Sequence, residues 1–323
     1  MVSKQNRGHE VRVSRIFRTA TTLLVFSTSL LAGRQAPSTF DETVPPGRNF
    51  DKAEFRLWLP KEAPHIRAVV VLTPGSNGDG RSQVDDAAWQ EFASRHSLAL
   101  LGVRLTDKPH DQSFIEEYVN VSQGSGQALL DALNALAQRS RHAEIAEAPL
   151  LLWGMSAGGQ FNYEFVAWKP DRVIAFVVNK GGIYYSALLP QAARKVPGIL
   201  FTGGKDLEFR TNTINGLFAV NRRAGALWAL AEEPRAAHIV GRSRDVALIF
   251  FEDVLPLRLA TAGDNAADKV ISIPEESGFL GNFETKIATK QTGSAPNFPT
   301  AWLPTARVAR AWESLISERP IAP

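Results

Sequence analysis

The chain of 323 residues contains no cysteine, only two methionines and only four tyrosines. The missing thiols exclude disulfides, a thiolate nucleophile and any zinc or iron–sulfur site ligated by sulfur. A protein of this composition that is exported must therefore hold together by packing alone. Histidine is scarce too. The six are His9, His65, His96, His110, His142 and His238, and no two have the His-x-x-x-His spacing that puts a pair of imidazoles on one helical face. That scatter disfavours a metal-dependent hydrolase, and no cofactor motif stands out. The first long uncharged run, residues 19–33, has 15 residues and many Thr and Ser. It falls short of the roughly 20 apolar residues that a spanning helix needs, so no stable membrane anchor is expected.

What is present is ordinary globular composition, 44% hydrophobic and 21% charged, with length for one large α/β domain or two small ones. Lys4, Arg7, Arg12, Arg15 and Arg18 precede the uncharged run, and small residues follow it. This layout predicts a signal peptide over 1–33 and a secreted or periplasmic protein. Leu30-Leu31-Ala32-Gly33 resembles the start of a lipoprotein box, but Arg34 stands where that box requires cysteine, which excludes lipidation there. Residues 1–33 carry five basic side chains against Glu10, so the net charge of +3 falls to about −1 without them. The positive excess thus gives no argument for a nucleic-acid partner. Oligomeric state is not legible.

Residues 34–52 read as a linker. From residue 53 the pattern alternates, with strand-like runs at 53–59, 68–72, 98–103, 149–153, 173–178, 198–202 and 227–231. Amphipathic helical patterns lie between them at 85–96, 127–139 and 212–223, another runs through Phe161, Phe165 and Trp168 and stops by Pro170, and one at 245–255 is expected to stop at Pro256. Near-continuous apolar runs such as Val69-Val70-Val71-Leu72 suit strands buried on both faces. The expected fold is α/β over 53–259, a mainly parallel central sheet with helices on both faces. Residues 260–323 read as a tail packed on the same domain, with a possible hairpin near 270–273 and 283–287 and a closing helix at 305–316.

Gly154-Met155-Ser156-Ala157-Gly158 places a serine between glycines. By chance, such a match occurs on the order of 0.1 times in a chain of this length. Its position after an apolar strand and before a helix is the context that exposes a serine hydroxyl on a tight turn. A helix-capping serine in a glycine-rich bend is the alternative. A serine hydroxyl needs a base and an acid to act as a nucleophile, and on this architecture they follow it in the order acid, then base. His238 is the sole histidine after Ser156, in a loop behind the last strand; otherwise it is a surface histidine. Glu164, Asp171, Asp206, Glu208, Glu232 and Glu233 lie between them. Asp206 stands out because it ends an apolar strand that breaks at Gly203-Gly204, at the sheet edge where ligands bind; Glu208 is the reserve. For an oxyanion hole, Ala157 should give one backbone N–H. The loop Thr73 to Gly80 should give a second, from Ser76 or else Asn77.

These residues, with Gly203-Gly204-Lys205-Asp206, His238 and the loop at 74–80, resemble the α/β-hydrolase family. Within it they are similar to secreted esterases of the polyhydroxybutyrate depolymerase and feruloyl esterase type, over about 53–259, and Trp302-Leu303-Pro304 adds a weaker likeness. The resemblance implies an α/β-hydrolase fold and a Ser156–Asp206–His238 triad cleaving a small-molecule or polymer-borne ester. Pro74-Gly75 stands where the family often has His-Gly. Acyl transfer, peptide hydrolysis or a non-catalytic binding role on the same scaffold are the alternatives.

Overall fold

Eight strands build the main sheet: Ser38–Val44 (β1), Lys52–Leu59 (β2), Ala68–Thr73 (β3), Leu98–Thr106 (β4), Leu150–Gly154 (β5), Val173–Asn179 (β6), Gly198–Gly203 (β7) and Trp228–Glu233 (β8). Their spatial order is β1-β2-β4-β3-β5-β6-β7-β8. β1 and β4 both run antiparallel to β2, and every pairing from β4 onward is parallel. This computed structural model describes residues 1–2, 38–260, 268–292 and 299–321. Apart from its first two residues, the predicted signal over 1–33 lies outside the described residues.

Parallel neighbours require crossovers, and helices supply them. Ala87–His96 (α1), Ser125–Ser140 (α2), Ala157–Trp168 (α3), the short Gln191–Arg194 (α4), Glu208–Arg223 (α5) and Ser243–Arg258 (α6) connect or flank the strands, and Ala306–Ile316 (α7) closes the chain. Strand periodicity sorts the side chains into two cores. Val69, Val71, Leu150, Leu152, Phe176 and Val178 pack with Leu129 and Leu133 of α2 and Phe161 and Phe165 of α3. The intervening residues Val70, Leu72, Leu151, Trp153, Val177 and Ile199 pack with Trp89 of α1, Phe250 and Phe251 of α6 and Trp312 of α7. Every residue of β3, β5, β6 and β7 is buried. At about 1.5–3 kcal/mol for each large apolar side chain buried, these central strands form a stiff platform for the turns at their carboxyl ends.

Four expectations need correction. The segment read as a linker, 34–52, carries β1, an edge strand whose Asp41 bridges Arg56 of β2 at 2.8 Å. Pro256 does not stop α6, which runs on to Arg258. A proline there removes one hydrogen bond in the last turn only, and the Arg258 guanidinium anchors that turn on Val173 O and Ile174 O at 3.1 and 3.2 Å. α5 starts at Glu208, four residues earlier than its polar first turn suggests. In the tail, Leu259–Ala260 (β9) pairs with Lys269–Val270 (β10), and the hairpin is Phe279–Asn282 (β11) with Ile287–Lys290 (β12). β11 also pairs with Ala301–Leu303 (β13), whose Trp302 is fully buried. The described residues from Ser38 onward form one unit.

Candidate active site

Between β5 and α3 the chain reverses over Met155 and Ser156. Ser156 sits at φ 54°, ψ −121°, a left-handed conformation that costs a non-glycine residue about 1–3 kcal/mol and persists only where the surroundings impose it. Here the flanking strands do so. The N–H of Ser156 donates to Asn179 O at 2.8 Å, and that of Met155 to Thr73 O at 3.2 Å. The flanking glycines have a steric origin: a Cβ at Gly154 would collide with the Gly158 carbonyl, and one at Gly158 with the carbonyl oxygens of Thr73 and Pro74.

The next two candidates meet because their turns pack backbone against backbone. Gly204 N–H donates to Glu233 O and Lys205 N–H to Ala236 O, both at 3.0 Å. A Cβ on Gly203 would lie 2.6 Å from Ala236 O, and one on Gly204 would strike Pro234 O. This contact seats the β7 turn under the loop that follows β8. The structure thereby brings together Asp206, His238 and Ser156. His238 Nδ1 lies 2.8 Å from Asp206 Oδ2, and His238 Nε2 lies 3.0 Å from Ser156 Oγ. A carboxylate can only accept, so the proton belongs on Nδ1 and the Nε2 lone pair faces the serine hydroxyl. The Asp206 side chain is 1% exposed and the His238 ring 33%, so the acid is sheltered while the imidazole reaches solvent. Asp206 Oδ1 accepts the Leu207 N–H at 2.7 Å, and Arg210 Nε stands 3.8 Å behind it.

The other candidates fall elsewhere or in support. Glu208, the reserve acid, opens α5 and accepts from Asn212 Nδ2 at 3.4 Å, while the carboxylate at His238 is that of Asp206. Ala157 is the first residue of α3, where helix N–H groups have no partner within the helix. The loop bearing Ser76 lies against the nucleophile turn, with the Cβ direction of Gly75 ending 3.6 Å from Ser156 Cβ. In that loop the Asn77 N–H donates to the Tyr118 hydroxyl at 3.2 Å and the Gly78 N–H to Gly75 O at 3.0 Å. Burial pushes the Tyr118 hydroxyl well above the ordinary tyrosine range, which keeps it protonated. Nothing in the local sequence marks Tyr118, because the contact spans 41 residues. Trp89 is core, packed on Phe92, Trp153 and Phe251. At the rim, Leu207, Phe209, Ile239 and Phe114 are exposed, and the Arg210 guanidinium lies against the rings of both Phe114 and Phe209.

Chemically, a hydroxyl facing an imidazole whose other nitrogen is held by a sheltered carboxylate can lose its proton to that imidazole. No protein-family profile matches the chain, and no curated protein does. Solved structures do. A ferulic acid esterase superposes with a TM-score of 0.50 at 11% identity, over 68% of this chain and 98% of that one. Together with the sheet order and the strand–serine–helix turn, that superposition decides the fold. The chain has the α/β-hydrolase fold. LpqC, a poly(3-hydroxybutyrate) depolymerase from Bordetella parapertussis, aligns at 18% identity and a TM-score of 0.48, over 67% of this chain and 89% of that one. A thermostable esterase aligns at 16% identity and a TM-score of 0.46, over 61% of this chain; the match spans only 54% of that esterase. On the α/β-hydrolase sheet, Ser156, Asp206 and the His238 loop all lie at the carboxyl ends of parallel strands, where ligands bind in open α/β sheets.

Proposed function

We propose that this chain is a serine hydrolase that cleaves carboxylic esters through an acyl-enzyme, with Ser156 as nucleophile, His238 as base and acid, and Asp206 orienting His238. The observation that carries the reading is the unbroken Asp206–His238–Ser156 hydrogen-bonded chain at 2.8 and 3.0 Å. In this reading Ser156 Oγ attacks the ester carbonyl carbon as its proton passes to His238 Nε2. The imidazolium, held by Asp206, returns that proton to the departing alkoxide. Water then attacks the acyl-serine, with His238 again accepting the proton, and the acid leaves with Ser156 restored. The tetrahedral oxyanion is taken by the N–H of Ala157 and that of Ser76, each worth about 2.7–4 kcal/mol. Ser76 is preferred over Asn77 because the Asn77 N–H already serves Tyr118. The exposed apolar rim of Leu207, Phe209, Ile239 and Phe114 favours an ester with a bulky apolar acid or alcohol part. Fold alone does not set chemistry, so the likeness to esterases stands behind this geometry, not in place of it.

Incubation with short-chain p-nitrophenyl esters and a serine-directed organophosphonate checks the proposal. Turnover and a single label on Ser156 are expected, and Ser156→Ala or His238→Ala should each lower kcat/KM by at least about 10⁴-fold without unfolding the chain. Folded protein with neither turnover nor label sinks it.

A further inference from the structure

The segments that carry the triad also meet below it, in a cluster that the catalytic chemistry does not use. Lys180 follows β6 at φ 54°, and its side chain is entirely buried. Its Nζ lies 3.1 Å from Asn179 Oδ1 and 3.2 Å from Glu233 Oε2. Both partners reach into the active-site turns. The Asn179 carbonyl is the acceptor for the Ser156 N–H, and Asn179 Nδ2 donates to Val240 O at 3.4 Å. Glu233 closes β8; its Oε1 accepts the Arg242 N–H at 2.8 Å, and its carbonyl accepts the N–H groups of Gly204 and Ala236. Lys180 Cε stands 3.0 Å from where a Cβ on Gly203 would be, directly against the turn that presents Asp206. The loop bearing His238 is therefore gripped at its start, at Ala236, and at its end, at Val240 and Arg242. Both grips trace through Glu233, Lys180 and Asn179 to the backbone of Ser156.

A buried ion pair is a poor way to gain stability, because taking two charges out of water offsets most of their attraction, and apolar residues of similar volume often do as well. Burial pulls the Lys180 ammonium below the ordinary lysine range, while the charges of Glu233 and Asp206 act against that pull. What the pair supplies beyond packing is direction: an ammonium with two fixed acceptors and a carboxylate with two fixed donors set the register of one loop against another. We propose that the Lys180–Glu233 pair, with Asn179, is a positioning bridge that holds the His238 loop in register with the Ser156 turn. Lys180 and Glu233 are thus positioning residues for the ester hydrolysis proposed above, on which the inference rests. Loss of the bridge shifts the imidazole relative to Oγ, and a misplacement of about 1 Å lowers a rate by about 10²-fold.

The test compares wild type, Lys180→Met, Glu233→Gln and the double variant Lys180→Met/Glu233→Leu. A control, Arg258→Met, removes another buried cation far from the triad. kcat, KM and the rate of organophosphonate labelling are measured on folded protein, with the downfield NMR resonance of the His238 Nδ1 proton. The bridge variants should lose about 10- to 100-fold in kcat and in labelling rate with KM within about twofold, and should lose or shift that resonance. Arg258→Met should lower Tm and leave kcat, KM, labelling rate and resonance unchanged. The double variant leaves no unpaired buried charge, so it keeps the test open should a single variant not fold. Wild-type kcat and an unshifted resonance in the double variant overturn the bridge while leaving the esterase reading intact. An inactive, unlabelled wild type overturns the esterase reading, and the resonance still reports whether the bridge holds His238.

Discussion

Strand β6 meets a buried cation at each end, and the two ends are built differently. At the amino end, Arg258 of α6 donates to the carbonyl oxygens of Val173, Ile174 and Ile271, all neutral acceptors. Burial pulls its guanidinium down to about 10, still protonated at neutral pH. The β5–β6 register shifts there, between Val173 and Ala175, yet none of Val173, Ile174, Arg258 and Ile271 has a positive φ. At the carboxyl end, Lys180 is paired with a carboxylate, both Lys180 and Ser156 sit in left-handed conformations, and Ser156 Oγ lies 3.0 Å from the partly exposed His238 ring. The amino edge closes the sheet with its cation, whereas the carboxyl edge concentrates strain and paired charge where three loops must agree. Under the proposed function, stability and chemistry fall to opposite edges of one sheet, which gives the comparison a measurable form: substitutions at one edge should move Tm and at the other kcat.

Outside the triad itself, the largest departure is expected from Gly158→Ala. The new methyl must displace the end of β3 or the start of α3, because carbonyl oxygens of Thr73 and Pro74 occupy its place. A loss of about 10²-fold or more in kcat should accompany a destabilisation of about 1–3 kcal/mol. Steady-state kinetics and denaturant unfolding measure the two together, and an active Gly158→Ala would break the assignment of this turn to function. Arg258→Met comes next. It should lower stability by about 1–3 kcal/mol, since the carbonyl groups it serves are left without their donor, while kcat/KM of folded protein stays within about twofold. A fall in kcat matching the fall in stability would erase the contrast between the edges.

The smallest effect tests an exposed pair on the active edge. Asp79, in the loop after β3, is held by the Arg81 fork at 2.6 and 2.9 Å, which lowers its carboxyl from 3.8 to about 2. A depressed carboxylate contributes its stability fully above its unfolded value and loses it as pH falls toward the folded one. Asp79→Asn should therefore cost less than about 1 kcal/mol at pH 7, because Asp79 is 41% exposed and screened by solvent. The gap from wild type should close between about pH 4 and about pH 2. Urea unfolding across that range checks it, and a gap that stays constant contradicts the pairing as its source.

The parts of the fold legible in the sequence are those where one force dominates. Residues 68–72, 150–153 and 173–178 are continuous apolar runs, and burial on both faces leaves no other reading. β1 was illegible because Ser-Thr-Phe-Asp-Glu-Thr-Val buries little and gains its strand from pairing with β2. The first turn of α5 and the register of β11 with β12 are likewise set by tertiary contacts, in segments whose polar residues carry weak local preference. For the candidate site, the order of serine, acid and histidine along the chain led to the three side chains that the structure brings together. The bridge beneath them was not readable: a lysine after a strand ordinarily means a surface, and its carboxylate lies 53 residues away.

The backbone contact between Gly203-Gly204 and Pro234–Ala237 has a consequence for redesign. Because acid and imidazole are carried on two turns that touch main chain to main chain, they behave as one mechanical part, and an inserted residue in either turn disturbs both. The neighbouring stretch 108–114 is half-buried or exposed throughout and reaches the rim through the Phe114 ring, which lies 6.0 Å from that of Phe209. Extra sequence grafted there would roof the site without touching that part, which makes this stretch the place to give the scaffold a new substrate cover.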